Sequence, residues 1–136
     1  MNRLFRLSEA TSIAIHGMVL LSKSQERMRV KEMVEVLGVS EAHLAKVFQR
    51  LSHESLVRSV RGPRGGFELA KDKDSISLYD IYIAVEGELS VDTCLLGRKT
   101  CPFGNCIFSD FPKRLTDDFI AYLKGTTLVS LETKSQ

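Results

Sequence analysis

No stretch of this sequence stays apolar for the ~18 residues that crossing a bilayer requires. The N-terminus, Met1 to Arg6, has neither the long apolar core nor the small-residue cleavage site of a signal peptide. Both absences lead us to expect a cytoplasmic protein with no membrane partner. Cysteine is scarce and odd in number: three in 136 residues, which argues against a disulfide framework. An enzyme would need an activated nucleophile beside a base. There is no Cys-x-x-Cys, no glycine-rich phosphate loop and no paired-carboxylate motif, so a thiol redox enzyme is set aside and the chain is read as a non-enzyme. There is no internal repeat and no low-complexity segment. The length suits one globular unit, and 43% hydrophobic with 26% charged residues is ordinary for a folded soluble chain.

Net charge is also small, at +2, but it is unevenly spread. Residues 1–74 hold 13 Lys and Arg against 9 Asp and Glu, whereas residues 75–136 hold 6 against 8. The stretch from Lys46 to Arg64 has five basic side chains (Lys46, Arg50, Arg58, Arg61 and Arg64) and one acid, Glu54. A basic segment in a nearly neutral chain indicates one surface for an anionic partner, with a solvated helix face as the plainer alternative.

Residues 8–22 predict a helix capped by Ser8, with Ala10, Ile13, Ala14, Gly17, Met18 and Leu21 at helical spacing. Gly17 inside it predicts close packing. Residues 30–37 predict a second helix, stopped by Gly38. Ser40 then caps a third, Glu41 to about His53, whose Leu44, Val47, Phe48 and Leu51 form one face. Its other face shows Glu41, His43, Lys46, Gln49 and Arg50. Two helices joined at a glycine turn, the second polar outside, form the helix-turn-helix pattern. Leu56–Val60 and Phe67–Ala70 predict two short strands around Arg61-Gly62-Pro63-Arg64-Gly65-Gly66. A hairpin with arginines at its tip, directly after a helix-turn-helix, is a wing, and such arginines suit a narrow minor groove. Ser77 to Asp80 opens a fourth helix that Gly87 ends. Residues 88–107 predict a loop. A final helix starts near Ser109 or Asp110, carries Phe111, Leu115, Phe119 and Tyr122 or Leu123, and closes at Gly125; we expect it to pack on a partner subunit.

All three cysteines fall in that loop, as Cys94-x6-Cys101-x4-Cys106. Thiolates ligate iron–sulfur clusters and also zinc, and Gly97, Pro102 and Gly104 permit sharp turns between them. Zinc loops usually show paired Cys-x2-Cys steps, absent here. A structural zinc site and redox-active thiols stay open as alternatives. A cluster usually takes four protein ligands, so His16, Glu9, Ser12, Asp110 or a small molecule are candidates for the fourth place. His43 and His53, on or next to the third helix, are poor ones.

These residues resemble the winged-helix iron–sulfur regulators of the Rrf2 family, typified by IscR and NsrR. Four stretches carry the match in order: Arg6-Leu7-Ser8, the Ser40–Leu51 helix, Ser59 to Leu69 with its Arg-Gly-Pro-Arg-Gly-Gly tip, and the cysteine loop. The resemblance implies a mainly α fold with a small β-wing: a winged helix-turn-helix over 1–88, a cluster-binding loop over 89–107, and a long dimerisation helix with its tail over 108–136. It implies a homodimer on a roughly palindromic double-stranded DNA operator. The Ser40–Leu51 helix would enter the major groove and Arg61 the minor groove. Ser40, Glu41, His43, Lys46, Gln49, Arg50, Arg58, Arg61 and Arg64 are the expected DNA-facing residues, with Lys46 and Arg50 on phosphates. Cys94, Cys101 and Cys106 match the ligands of a [2Fe-2S] or [4Fe-4S] cluster. The cysteine spacing departs from the family's frequent x5 and x5. Ser109 stands where IscR-like members have histidine, and Ser12 where NsrR-like members have aspartate. His16 falls near the histidine of a further branch. The expected function is a repressor whose operator affinity follows the cluster's response to iron, nitric oxide or redox state. The alternative is a winged-helix regulator governed by thiol oxidation, a small molecule or a protein partner, without a cluster.

Overall fold

The computed structural model describes residues 5–89 and 94–134. Helix α1 spans Glu9–Lys23, and the Ser8 hydroxyl accepts from the Thr11 amide at 3.1 Å to cap it. Its buried stripe is Ile13, Ala14, Gly17, Met18 and Leu21. A Cβ on Gly17 would sit 2.6 Å from Cε2 of Phe48, so the glycine lets α1 cross close to the third helix, as its position in the pattern predicts. Helix α2 is Val30–Leu37, ended by Gly38 in the left-handed conformation at φ +66°. Helix α3 is Glu41–His53; its N-cap Ser40 hydroxyl accepts from the His43 amide at 3.3 Å, and Leu44, Val47, Phe48 and Leu51 are buried.

Strands β1 (Val57–Val60) and β2 (Gly66–Leu69) pair antiparallel, Val57 opposite Leu69 and Val60 opposite Gly66. A third edge joins them. The Met28 amide donates to the Phe67 carbonyl at 3.1 Å, and the Phe67 amide returns a bond to Met28 at 2.8 Å. The link between α1 and α2 is thus stitched to the wing. A Cβ on Gly66 would lie 2.6 Å from the Met28 carbonyl oxygen, and its φ is +139°, so only glycine fits this crossing.

Helix α4 is Leu78–Glu86, opened by a reciprocal Ser77–Asp80 capping box. Helix α5 is Phe111–Gly125, with Pro112 in its first turn. The chain then makes a further helix, α6 (Leu128–Lys134), where a tail was expected. Thr127 and Ser130 exchange backbone-to-hydroxyl bonds at its start, and the Leu128 amide donates to Ile76 at 3.0 Å. Leu123 and Leu128 are buried with Ile76, Leu78 and Ile81 in the core that also takes in α1 and α3. The architecture is a winged helix, with six helices and a small antiparallel sheet among the described residues. No helix among the described residues is long and apolar enough to cross a membrane.

Candidate nucleic-acid interface and cysteine loop

The apolar face of α3 is consumed by the core, which turns its other face outward. Glu41, Lys46, Gln49 and Arg50 are exposed there, and Ser40 is exposed at its start. His43 is half-buried and leans back, its Nδ1 3.6 Å from a carboxylate oxygen of Glu9 on α1. The first-turn amides that Ser40 does not cap give this end of α3 a partial positive charge suited to a phosphate.

The wing tip is shaped by short-range chemistry. The Gly65 amide donates to the Gly62 carbonyl at 2.9 Å, and Gly62 adopts φ +110°. A Cβ on Gly65 would meet the Val60 carbonyl at 2.3 Å, so the tip admits no side chain there. Arg61 and Arg64 project from it, both exposed. Arg58 is committed within the wing: its Nε lies 3.4 Å from Glu68, its cross-strand neighbour, and Arg27 takes the other oxygen of the same carboxylate at 2.9 Å. Exposed pairs of this kind add little stability, but they orient the arginines they hold.

Three residues outside the sequence-based expectation belong to this surface or its support. Arg27 and Arg29 flank Met28, and the Arg29 guanidinium donates to the Pro63 carbonyl at the wing tip. Their basic character on either side of an apolar residue was visible, but its meaning depends on Met28 pairing with the wing. The third is Glu86, the last residue of α4. It accepts from the Ser8 hydroxyl and from the buried Thr11 hydroxyl at 2.5 Å. Those two hydrogen bonds hold its carboxyl below the usual range; burial opposes them, and the Arg50 charge adds the smallest help.

Beyond α4 lies the cysteine loop. Cys94 and Cys101 are half-buried and Cys106 is exposed. Each cysteine carbonyl accepts from the amide three residues on: Gly97 at 2.9 Å, Gly104 at 3.1 Å and Ser109 at 3.0 Å. All three donor residues have positive φ, +66°, +78° and +56°. Each cysteine therefore opens the same kind of tight turn. Among the described residues, no three His, Cys, Asp or Glu side chains converge on one point. His16 is exposed, with its Nδ1 2.6 Å from the Ser12 carbonyl of its own helix. The structure thus places Cys94, Cys101 and Cys106 on one segment but does not gather them with His16.

The Rrf2 family of iron-dependent transcriptional regulators matches residues 7–134. This chain belongs to the Rrf2 family. A protein of Aquifex aeolicus named as an HTH-type transcriptional regulator is 33% identical over 134 residues, covering 93% of each chain. The IscR regulator of Yersinia pseudotuberculosis is 30% identical over 129 residues, 93% of this chain and 78% of its own. Among solved structures, CymR, described as the global cysteine regulator of B. subtilis, superposes with a TM-score of 0.80 at 24% identity, over 98% of this chain and all of that one. The molecule is a winged-helix, DNA-binding transcription regulator and not an enzyme.

Proposed function

We propose that the chain acts in the cytoplasm as a homodimeric repressor whose hold on a palindromic operator is set by an iron–sulfur cluster on Cys94, Cys101 and Cys106. The observation that carries this reading is the repeated turn. Three thiols on one thirteen-residue segment each open a turn closed by a left-handed residue, directly after the DNA-binding body. The donor chemistry fits, since soft thiolates are the ligands of [2Fe-2S] and [4Fe-4S] groups. The family's description as iron-dependent supports it. The sulfurs do not converge in the described geometry, so the loop would close around the group as it binds, and a fourth ligand would come from outside this set or from a partner subunit. When bound, the cluster supplies a centre that oxygen, nitric oxide or iron shortage can alter. In this reading α3 enters the major groove through Ser40, Glu41 and Gln49, with Lys46 and Arg50 on phosphates, and Arg61 reaches the minor groove.

Anaerobic purification tests the proposal. The expected protein is brown, with visible charge-transfer absorbance that a Cys94, Cys101 and Cys106 triple alanine variant loses together with its regulated operator binding. A colourless protein, with operator binding unaffected by the triple substitution, sinks it. A cluster-free thiol switch draws on the same loop: Cys106 is exposed, and no three ligating side chains meet among the described residues. It predicts a colourless protein whose binding responds to oxidant and is reset by dithiothreitol.

A further inference from the structure

The wing tip extends beyond the last paired residues, Val60 and Gly66, and its own chain closes it with the single Gly62–Gly65 backbone bond. A two-stranded hairpin held so lightly is marginal in water, and its tip would sample many orientations. The segment from Arg27 to Arg29 crosses beneath it as a third edge, fixed by the paired bonds between Met28 and Phe67. Arg27 and Arg29, two residues apart, leave this edge on the same side, as alternate residues of an extended strand do. Arg27 grips Glu68 in the body of the wing. Arg29 reaches further, to the carbonyl of Pro63 between Arg61 and Arg64. A guanidinium donating to a carbonyl makes a charge-assisted bond with a defined direction. Pro63 has no amide hydrogen, so the proline adds no competing donor at that point.

We propose that Arg29 is a positioning residue for DNA binding: it ties the wing tip to the start of α2 and so sets where Arg61 enters the groove. The inference rests on the reading of the wing as a DNA-contacting element. Arg29 itself touches no phosphate in this account. Ordering the tip before binding removes part of the entropy loss that docking a mobile loop carries.

The full-length protein, with its operator at fixed salt, tests this by a double-mutant cycle in mobility-shift titrations. Arg29→Ala is expected to weaken binding about threefold to tenfold, with an unchanged melting temperature. The double variant with Arg61→Ala should be barely weaker than Arg61→Ala alone, because a misplaced arginine and a missing one cost the same contact. Lys46→Ala on α3 serves as the control and should add fully to Arg29→Ala. Arg29→Lys should restore part of the loss, since lysine can still donate to Pro63. The slope of log affinity against log salt should not change with Arg29→Ala. A slope smaller by about one, with full additivity toward Arg61→Ala, would identify Arg29 as a phosphate contact and overturn the proposal. If Arg61→Ala weakens binding and Arg29→Ala does not, only the tether is refuted. If Arg61→Ala itself has no effect, the wing reading fails and the tether with it.

Discussion

Glu86 joins three parts of the molecule through one carboxylate. Two of its partners, Ser8 and Thr11, begin α1; Arg50 lies on the exposed face of α3; and Gly87, the next residue, leads into the cysteine segment. Because the folded state lowers its carboxyl pKa, the charged form contributes stability above the ordinary value of 4.5, and that contribution fades as pH falls through the lowered folded value. Glu86→Gln should remove this dependence. Urea midpoints measured at about pH 5.5 and about pH 3.5 should fall less in the variant than in the unaltered protein. Equal losses would show that the carboxylate contributes nothing to acid sensitivity. Solvent reaches this site, so the effect is modest, and because neutral hydroxyls supply the main hydrogen bonds it should change little with salt.

Helix α5 carries several large apolar side chains that its own subunit leaves uncovered. Phe111, Leu115, Phe119 and Tyr122 follow one another along one stripe of the helix. Phe119 is satisfied within the subunit, edge-on to Phe5 at 5.6 Å and Tyr82 at 5.8 Å. Phe111, Leu115 and Tyr122 are 49%, 55% and 51% exposed, and Phe108 just before the helix is 47% exposed. Several large apolar side chains on one solvent face are characteristic of an interface. Leu115→Asp should leave the fold intact, because Leu115 is outside the core, yet convert a dimer to a monomer by light scattering and weaken operator binding. A variant that keeps the mass of the unaltered protein would remove α5 from the subunit interface.

Helices α1 to α4 and the wing were legible because their signals are local: serine caps, glycine stops, a 3.6-residue apolar period and a Gly-Pro-Arg-Gly-Gly turn. Gly17 could be read as a packing site even without knowing that Phe48 fills the space above it. Helix α6 was missed because it has only seven residues and its apolar residues are explained by tertiary neighbours such as Ile76; the Thr127–Ser130 pairing was its one local sign. The roles of Arg29 and Glu86 were hidden because each depends on a partner that only folding brings near, Pro63 in one case and Ser8 with Thr11 in the other. His43 looked outward on a helical wheel, and the structure places it half-buried with Glu9 3.6 Å from its Nδ1.

At the scale of the whole molecule, charge and shape divide the work. The basic excess lies in the first 74 residues, which contain α3 and the wing, while the remainder is slightly acidic. In a two-fold dimer of such subunits, the two α3 helices would enter successive major grooves, with half-site centres about 34–36 Å apart. Inserting five base pairs between the half-sites should place them on opposite faces of the duplex and reduce affinity to that of a single subunit. Inserting ten should restore much of it. Gel-shift titrations on the three operators decide this, and equal affinity for all three would rule out symmetric two-site docking.

The seam between Met28 and Phe67 also orders the way the chain comes together. Those residues are almost forty positions apart, so the bonds that complete the wing join distant parts of the chain and carry a larger loop-closure cost than the hairpin's own. The hairpin's own turn can form early, but Gly66 has no settled place until the backbone of Met28 lies across it. The wing tip therefore takes its final place only once the segment leaving α1 lies against β2. A copy that lacked the segment around Met28 would leave the wing without its third edge.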